Sequence, residues 1–201
     1  MFAYCENNSI NYADANGKSF YRVIRCIFIV ASWTLRLSIM MYAYSATGAR
    51  YWNNIKLNDW WNPIGNAMKS RLKNSKTIKG RIDKYIKQTS NKKKTYSKKE
   101  HVAFSYSSKT TADLDLAYSV GNADNCTIKI TRTNTKHWWT GKRKYIVRIQ
   151  LSDLYDFKLF KKSEAGFIKR SINNYFGYYP QEWGVLKKYN WAIDFSFDYY
   201  K

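Results

Sequence analysis

From Asn190 to Tyr200 the chain reads NWAIDFSFDYY, with Trp191, Ile193, Phe195, Phe197 and Tyr199 alternating against Ala192, Asp194, Ser196 and Asp198. A period of two gathers the five large side chains on one face of an extended strand, which a helix cannot do. Such a strand persists only beside others, with its apolar face covered. Three more segments carry the same period: DLDLAYSV (Leu114, Leu116, Tyr118), CTIKITR (Cys126, Ile128, Ile130) and YIVRIQL (Tyr145, Val147, Ile149, Leu151). Together they predict a small, curved antiparallel sheet with one buried face. GNADN (Gly121 to Asn125) and TNTKHWWTGK (Thr133 to Lys142) supply the turns.

Between the third and fourth runs, SEAGFIKRSINNYFGYYPQEWG fits a helix starting near Ser163, with Glu164 in its first turn. It would turn Phe167, Ile168, Ile172, Tyr175 and Phe176 inward and end at Gly177 and Pro180. Residues 103–201 are therefore expected to form an α+β domain, a curved sheet carrying one helix.

The most hydrophobic stretch lies upstream, in YRVIRCIFIVASWTLRLSIMMYAYSATG. Arg25 and Arg36 interrupt it, and an arginine at the centre of a membrane helix costs about 2.5–3.5 kcal/mol on insertion scales. At about 100° per residue, Arg22, Arg25, Ser32 and Arg36 share a stripe roughly 80° wide. An apolar or amphipathic helix is expected over residues 21–50. It suits a core edge or a membrane interface, and Arg25, Trp33 and Arg36 are the candidates for membrane contact.

Residues 51–102 read as a basic helix and linker. Ile78, Ile82, Tyr85 and Ile86 stand at helical spacing, and TSNKKKTYSKK then breaks the pattern. A wholly disordered basic tether fits the same composition. The 201 residues hold 35 Lys and Arg against 14 Asp and Glu, for a net charge of +21, and the excess is concentrated in residues 56–109, with fifteen basic and three acidic residues. Such a charge attracts nucleic acid, an anionic membrane or an acidic protein. Cys5, Cys26 and Cys126 lack zinc-site or paired spacing, and only His101 and His137 are present. Acid/base chemistry must therefore rest mainly on Asp, Glu, Tyr and Lys. No secretory signal, Walker A, zincin, nucleophile-elbow or Rossmann pattern is found.

Two sets of residues invite chemistry. In IQLSDLYDF, Asp153 and Tyr155 fall on one face of the strand and Asp156 on the other, a tight acidic cluster at a strand end. Close carboxylates separate their pKa values, so that one serves as acid and the other as base or as ligand to a divalent cation. The same residues could equally end the strand and cap the turn. His137, Trp138, Trp139, Lys142 and Arg143 form an aromatic, basic loop that could grip a sugar, a phosphate or a base, or could fold back on the sheet.

The opening MFAYCENNSINYADANGK resembles the line that closes the core of Rhs/YD-repeat polymorphic toxins, with Phe2, Tyr4, Asn7, Asn8, Asp14 and Gly17 at the matching places. Ser9 and Ala15 stand where that family usually has proline. The resemblance covers about the first eighteen residues. It implies that the chain is the toxin region of a larger delivery protein, secreted or delivered into a target cell, with the parent's Rhs shell and an acidic immunity protein as partners.

The D-x-Y-D run of Asp153, Tyr155 and Asp156, after a meander and before a helix and an aromatic strand, is similar to the catalytic region of colicin M. That family cleaves a lipid-linked peptidoglycan precursor at its phosphate linkage. Its pattern continues with His-Arg, where this chain has Lys161 and Lys162. The resemblance implies Asp153 and Asp156 as essential carboxylates, with Tyr155 and Lys162 assisting.

Three classes of function follow: an envelope-directed enzyme acting on a lipid-linked phosphate, a membrane-inserting toxin working through residues 22–47, and a nucleic-acid-directed toxin. Nuclease chemistry usually needs His/Glu/Asp sets that this chain lacks, so nucleic acid is the weaker partner.

Overall fold

The computed structural model describes residues 34–50, 54–105, 110–159, 161 and 173–201. In chain order these residues form α1 (Arg36–Ala46), β1 (Asn54–Lys56), α2 (Pro63–Asn74), α3 (Lys76–Ile86), β2 (Thr95–Ala103), α4 (Thr111–Ser119), β3 (Asn122–Lys136) and β4 (Arg143–Tyr155). A π-helical turn, Asn174–Tyr178, then runs into α5 (Tyr179–Glu182), and β5 (Tyr189–Tyr200) comes last. The Rhs-like opening, Arg25, Trp33, Lys162 and the residues expected to start a helix at Ser163 lie outside the described residues.

The five strands form one open sheet in the order β1-β5-β4-β3-β2. The alternation seen in the sequence sets its register. Ile149 lies between Ile128 and Phe195, Val147 between Ile130 and Phe197, and Leu151 between Cys126 and Ile193. These rows make the buried face, and each fully buried Val, Ile or Leu contributes about 1.5–3 kcal/mol. The α+β expectation holds, but the sheet is mixed, because β1 pairs in parallel with β5, placing Ile55 opposite Trp191. Three residues are too few to show a period, so β1 left no mark in the sequence pattern.

DLDLAYSV is α4, not the expected strand. Leu116 is buried while Tyr118 is exposed, so the residues assigned to one face do not share it. The two aspartates decide the matter, since both are buried and each holds the start of another helix. Asp115 accepts the backbone N–H groups of Leu37 and Ser38 at the start of α1, at 3.0 and 2.9 Å, and the Arg71 Nε–H at 2.7 Å. Asp113 accepts the Lys76 N–H at 3.0 Å and the Ser75 hydroxyl at the start of α3. Residues two apart on a helix point in nearly opposite directions, which lets α4 serve both neighbours. Gly121, with φ of 66°, ends the helix by donating its N–H to the Leu116 carbonyl at 3.0 Å.

The expected basic linker is also corrected. Residues 95–103 are the edge strand β2, antiparallel to β3 with an irregularity between Glu100 and Val102. Lys98 and Lys99 are exposed there, and edge lysines discourage pairing with another chain. The basic helix is present as α3, with Ile78, Ile82, Tyr85 and Ile86 all buried as their spacing predicts. Asp83 on α3 accepts the Tyr199 hydroxyl of β5 at 3.0 Å. Leu37 of α1, Met68 of α2, Ile82 of α3 and Ile149 of β4 belong to one core, so the described helices are built into the sheet domain.

Candidate active site

The inward row of β4 runs Tyr145, Val147, Ile149, Leu151, Asp153, Tyr155. A carboxylate therefore occupies a core-facing position at the end of the strand. Asp153 is half-buried and pairs across the sheet with the buried Trp191. Burial pushes its pKa above the ordinary carboxylate value, and the charges of Asp124 and Asp156 act in the same direction. The Leu154 N–H, donated to its Oδ1 at 2.8 Å, and the charge of Lys158 offset this only in part.

Asp124 reaches this cluster from β3, one residue beyond the Asn125–Ser152 pair. His101 Nδ1 on β2 lies 2.8 Å from Asp124 Oδ1. Three adjacent strands thus bring His101, Asp124 and Asp153 to one end of the sheet, with Asp156 following β4. The sequence marked Asp153 and Asp156 but not His101 or Asp124. Asp124 looked like a turn residue, and the strand carrying His101 looked like linker.

Tyr155 is buried, stacked on Tyr189 at 5.0 Å and edge-on to Phe157 at 5.3 Å. Burial raises its pKa, with a further push from Tyr42, so the phenol stays protonated. Its place is in the aromatic wall behind the carboxylates. Lys161 is exposed. Among the described residues, no group of three or more His, Cys, Asp or Glu side chains is placed to hold a metal ion.

The aromatic, basic loop lies at the other end of β4. Asp153 lies ten residues along β4 from Arg143, which at about 3.3 Å each puts the start of the strand roughly 33 Å away. Gly141 donates to the His137 carbonyl at 2.9 Å, and His137 donates to the Lys142 carbonyl at 2.7 Å, closing the turn. The His137 ring packs edge-on against Tyr200, and the Arg143 Nη1–H donates to the Thr133 carbonyl at 3.1 Å. Trp138 and Trp139 are 85% and 77% exposed and meet edge to face at 5.1 Å. The two tryptophans do not fold back on the sheet, and the loop is not part of the acidic site.

The candidate membrane segment enters the described residues at α1. Arg36 is exposed, whereas Leu37, Met41 and Ser45 are buried, and the Tyr189 hydroxyl donates to the Met41 carbonyl at 3.1 Å. Among the described residues, no helix is long and apolar enough to cross a membrane.

No protein-family model matches this chain, and no curated protein does. Among solved structures, the chain is similar to PaeM, a colicin M-like bacteriocin produced by Pseudomonas aeruginosa, with 16% identity and a TM-score of 0.34. The match covers 82% of this chain and 51% of that one. The chain thus spans about half the length of that bacteriocin.

Proposed function

We propose that the chain is an antibacterial toxin region, carried by an Rhs-type parent, that hydrolyses a phosphate linkage in a lipid-carried precursor of the cell envelope. The reading rests on one observation: Asp153, a half-buried carboxylate in the inward row at the end of β4, has its pKa raised by burial and by the charges of Asp124 and Asp156. Such a group holds its proton to higher pH than an ordinary carboxylate, so it can protonate a departing oxygen while Asp156 draws a proton from the attacking water. The D-x-Y-D spacing supports the assignment, and Lys162 would neutralise phosphate charge as a point cation.

The test is directed expression in a bacterial periplasm. The parent chain should kill and release the phosphorylated headgroup of the lipid carrier, and Asp153→Asn should do neither. Full killing by Asp153→Asn, or killing only from the cytoplasm, would overturn the reading.

A further inference from the structure

The segment from Asn173 to Trp183 is inside out. Its protein-facing positions are Asn174, Gly177 and Gln181, all buried, while Tyr175, Phe176 and Trp183 are 67%, 66% and 74% exposed. Helical periodicity predicted the opposite, with Tyr175 and Phe176 inward. Within the π-helical turn it is Asn174 and Gly177 that face the protein, with Gly177 against the Phe157 ring.

This orientation is fixed. A Cβ on Gly177 would stand 2.2 Å from the Phe157 ring, so no larger residue could lie there without displacing it. Gln181 Oε1 accepts the Phe157 N–H at 3.0 Å, and Asn173 Nδ2 donates to the Lys158 carbonyl at 2.7 Å. Outside, the Tyr175, Tyr179 and Trp183 rings follow one another at 5.7 and 6.0 Å. Val185 extends the exposed apolar surface.

Cations border it. Lys158, Lys187 and Lys188 are exposed, and Lys187 Nζ lies beside Gly184, next to Trp183. Glu182 is the acidic residue within positions 173–188. Lysine is depleted from the cores of protein–protein interfaces, whereas tyrosine and tryptophan rings edged by lysine suit the headgroup level of an anionic bilayer.

We propose that this face docks the protein on an anionic lipid bilayer, with Tyr175, Phe176 and Trp183 at the headgroup level and the three lysines on lipid phosphates. Docking stands independently of catalysis. That it also sets Asp153 and Asp156 against a lipid-borne phosphate rests on the function proposed above.

Flotation of the full chain with phosphatidylglycerol/phosphatidylcholine vesicles, and with phosphatidylcholine alone, tests the proposal. Wild type and Asp153→Asn should float with the anionic vesicles only. The triple variant Tyr175→Ser/Phe176→Ser/Trp183→Ser should bind about tenfold less, and Lys158→Glu/Lys187→Glu/Lys188→Glu should lose the preference for anionic lipid. Equal flotation of the Tyr175/Phe176/Trp183 variant and wild type would overturn the proposal. So would absence of wild-type binding, or a vesicle-free shift from dimer to monomer in that variant, which would assign the face to a second copy. Thermal unfolding close to that of wild type verifies that the exposed substitutions leave the fold intact.

Discussion

The guanidinium of Arg71 on α2 donates to the carboxylate of Asp115 on α4 at 2.7 Å, and the same carboxylate holds the first backbone N–H groups of α1. One buried anion therefore joins three helices whose positions in the sequence are far apart. Removing it strands a cation and two backbone donors together. Asp115→Ala should lower stability by about 3–5 kcal/mol, the usual cost of breaking a buried pair from one side. Urea unfolding measures this, and a double-mutant cycle with Arg71→Ala should give a coupling well above that of a surface pair.

Asp113 makes a pH-dependent contribution. Burial alone would raise its pKa, but the Ser75 and Thr110 hydroxyls and the Lys76 and Thr77 N–H groups outweigh it and hold the value below the ordinary carboxylate range. A folded-state pKa below the unfolded one gives stability that is fully present above the unfolded value, about 3.9. That stability is lost as pH falls through the folded value. Asp113→Asn should therefore be less stable than wild type at neutral pH and show a flatter acid limb when urea midpoints are followed down to about pH 2.

Asp153 has the opposite sign. Its pKa is raised, chiefly by burial, so its charged form opposes folding once pH exceeds the folded-state value. Asp153→Asn should keep or raise the melting temperature at neutral pH while abolishing killing. A large loss of stability in this variant would mark Asp153 as structural.

Cys126 sits in the core, where burial first, and the charge of Glu100 second, push its thiol up to about 12. In a Cys5→Ser/Cys26→Ser background, a disulfide reagent should label it only at the rate of unfolding. Fast labelling of the native protein would contradict the packing of β3.

Gly177→Ala tests the join between the π-helical turn and the segment following β4. Its Cβ would stand 2.2 Å from the Phe157 ring, and overpacking of this kind costs about 1–3 kcal/mol. Thermal unfolding should show the loss, and proteolysis should quicken near residues 157–178.

Much of the sheet was legible because β4, β5 and the Cys126–Ile130 part of β3 alternate, and the Ile78, Ile82, Tyr85, Ile86 stripe was equally plain. DLDLAYSV misled because its period of two came from buried capping aspartates rather than from a solvent face. The Thr110-x-x-Asp113 spacing, in which the Asp113 N–H donates to Thr110 Oγ1 at 3.4 Å, was the available sign of a helix start. Asp153 and Asp156 could be found from their own segment. His101 and Asp124 could not, because only strand pairing brings them near, and pairing partners leave no local trace.

The placement of β5 between β1, to which it is parallel, and β4, to which it is antiparallel, has a consequence for biosynthesis. While the ribosome is still making residues 189–200, Asn54–Lys56 have no neighbour and β4 is flanked on one side alone. Trp191 arrives beside Asp153 only when that strand slots into place. The Asp153 end of the sheet in a nascent copy is thus incomplete until translation has passed the last strand.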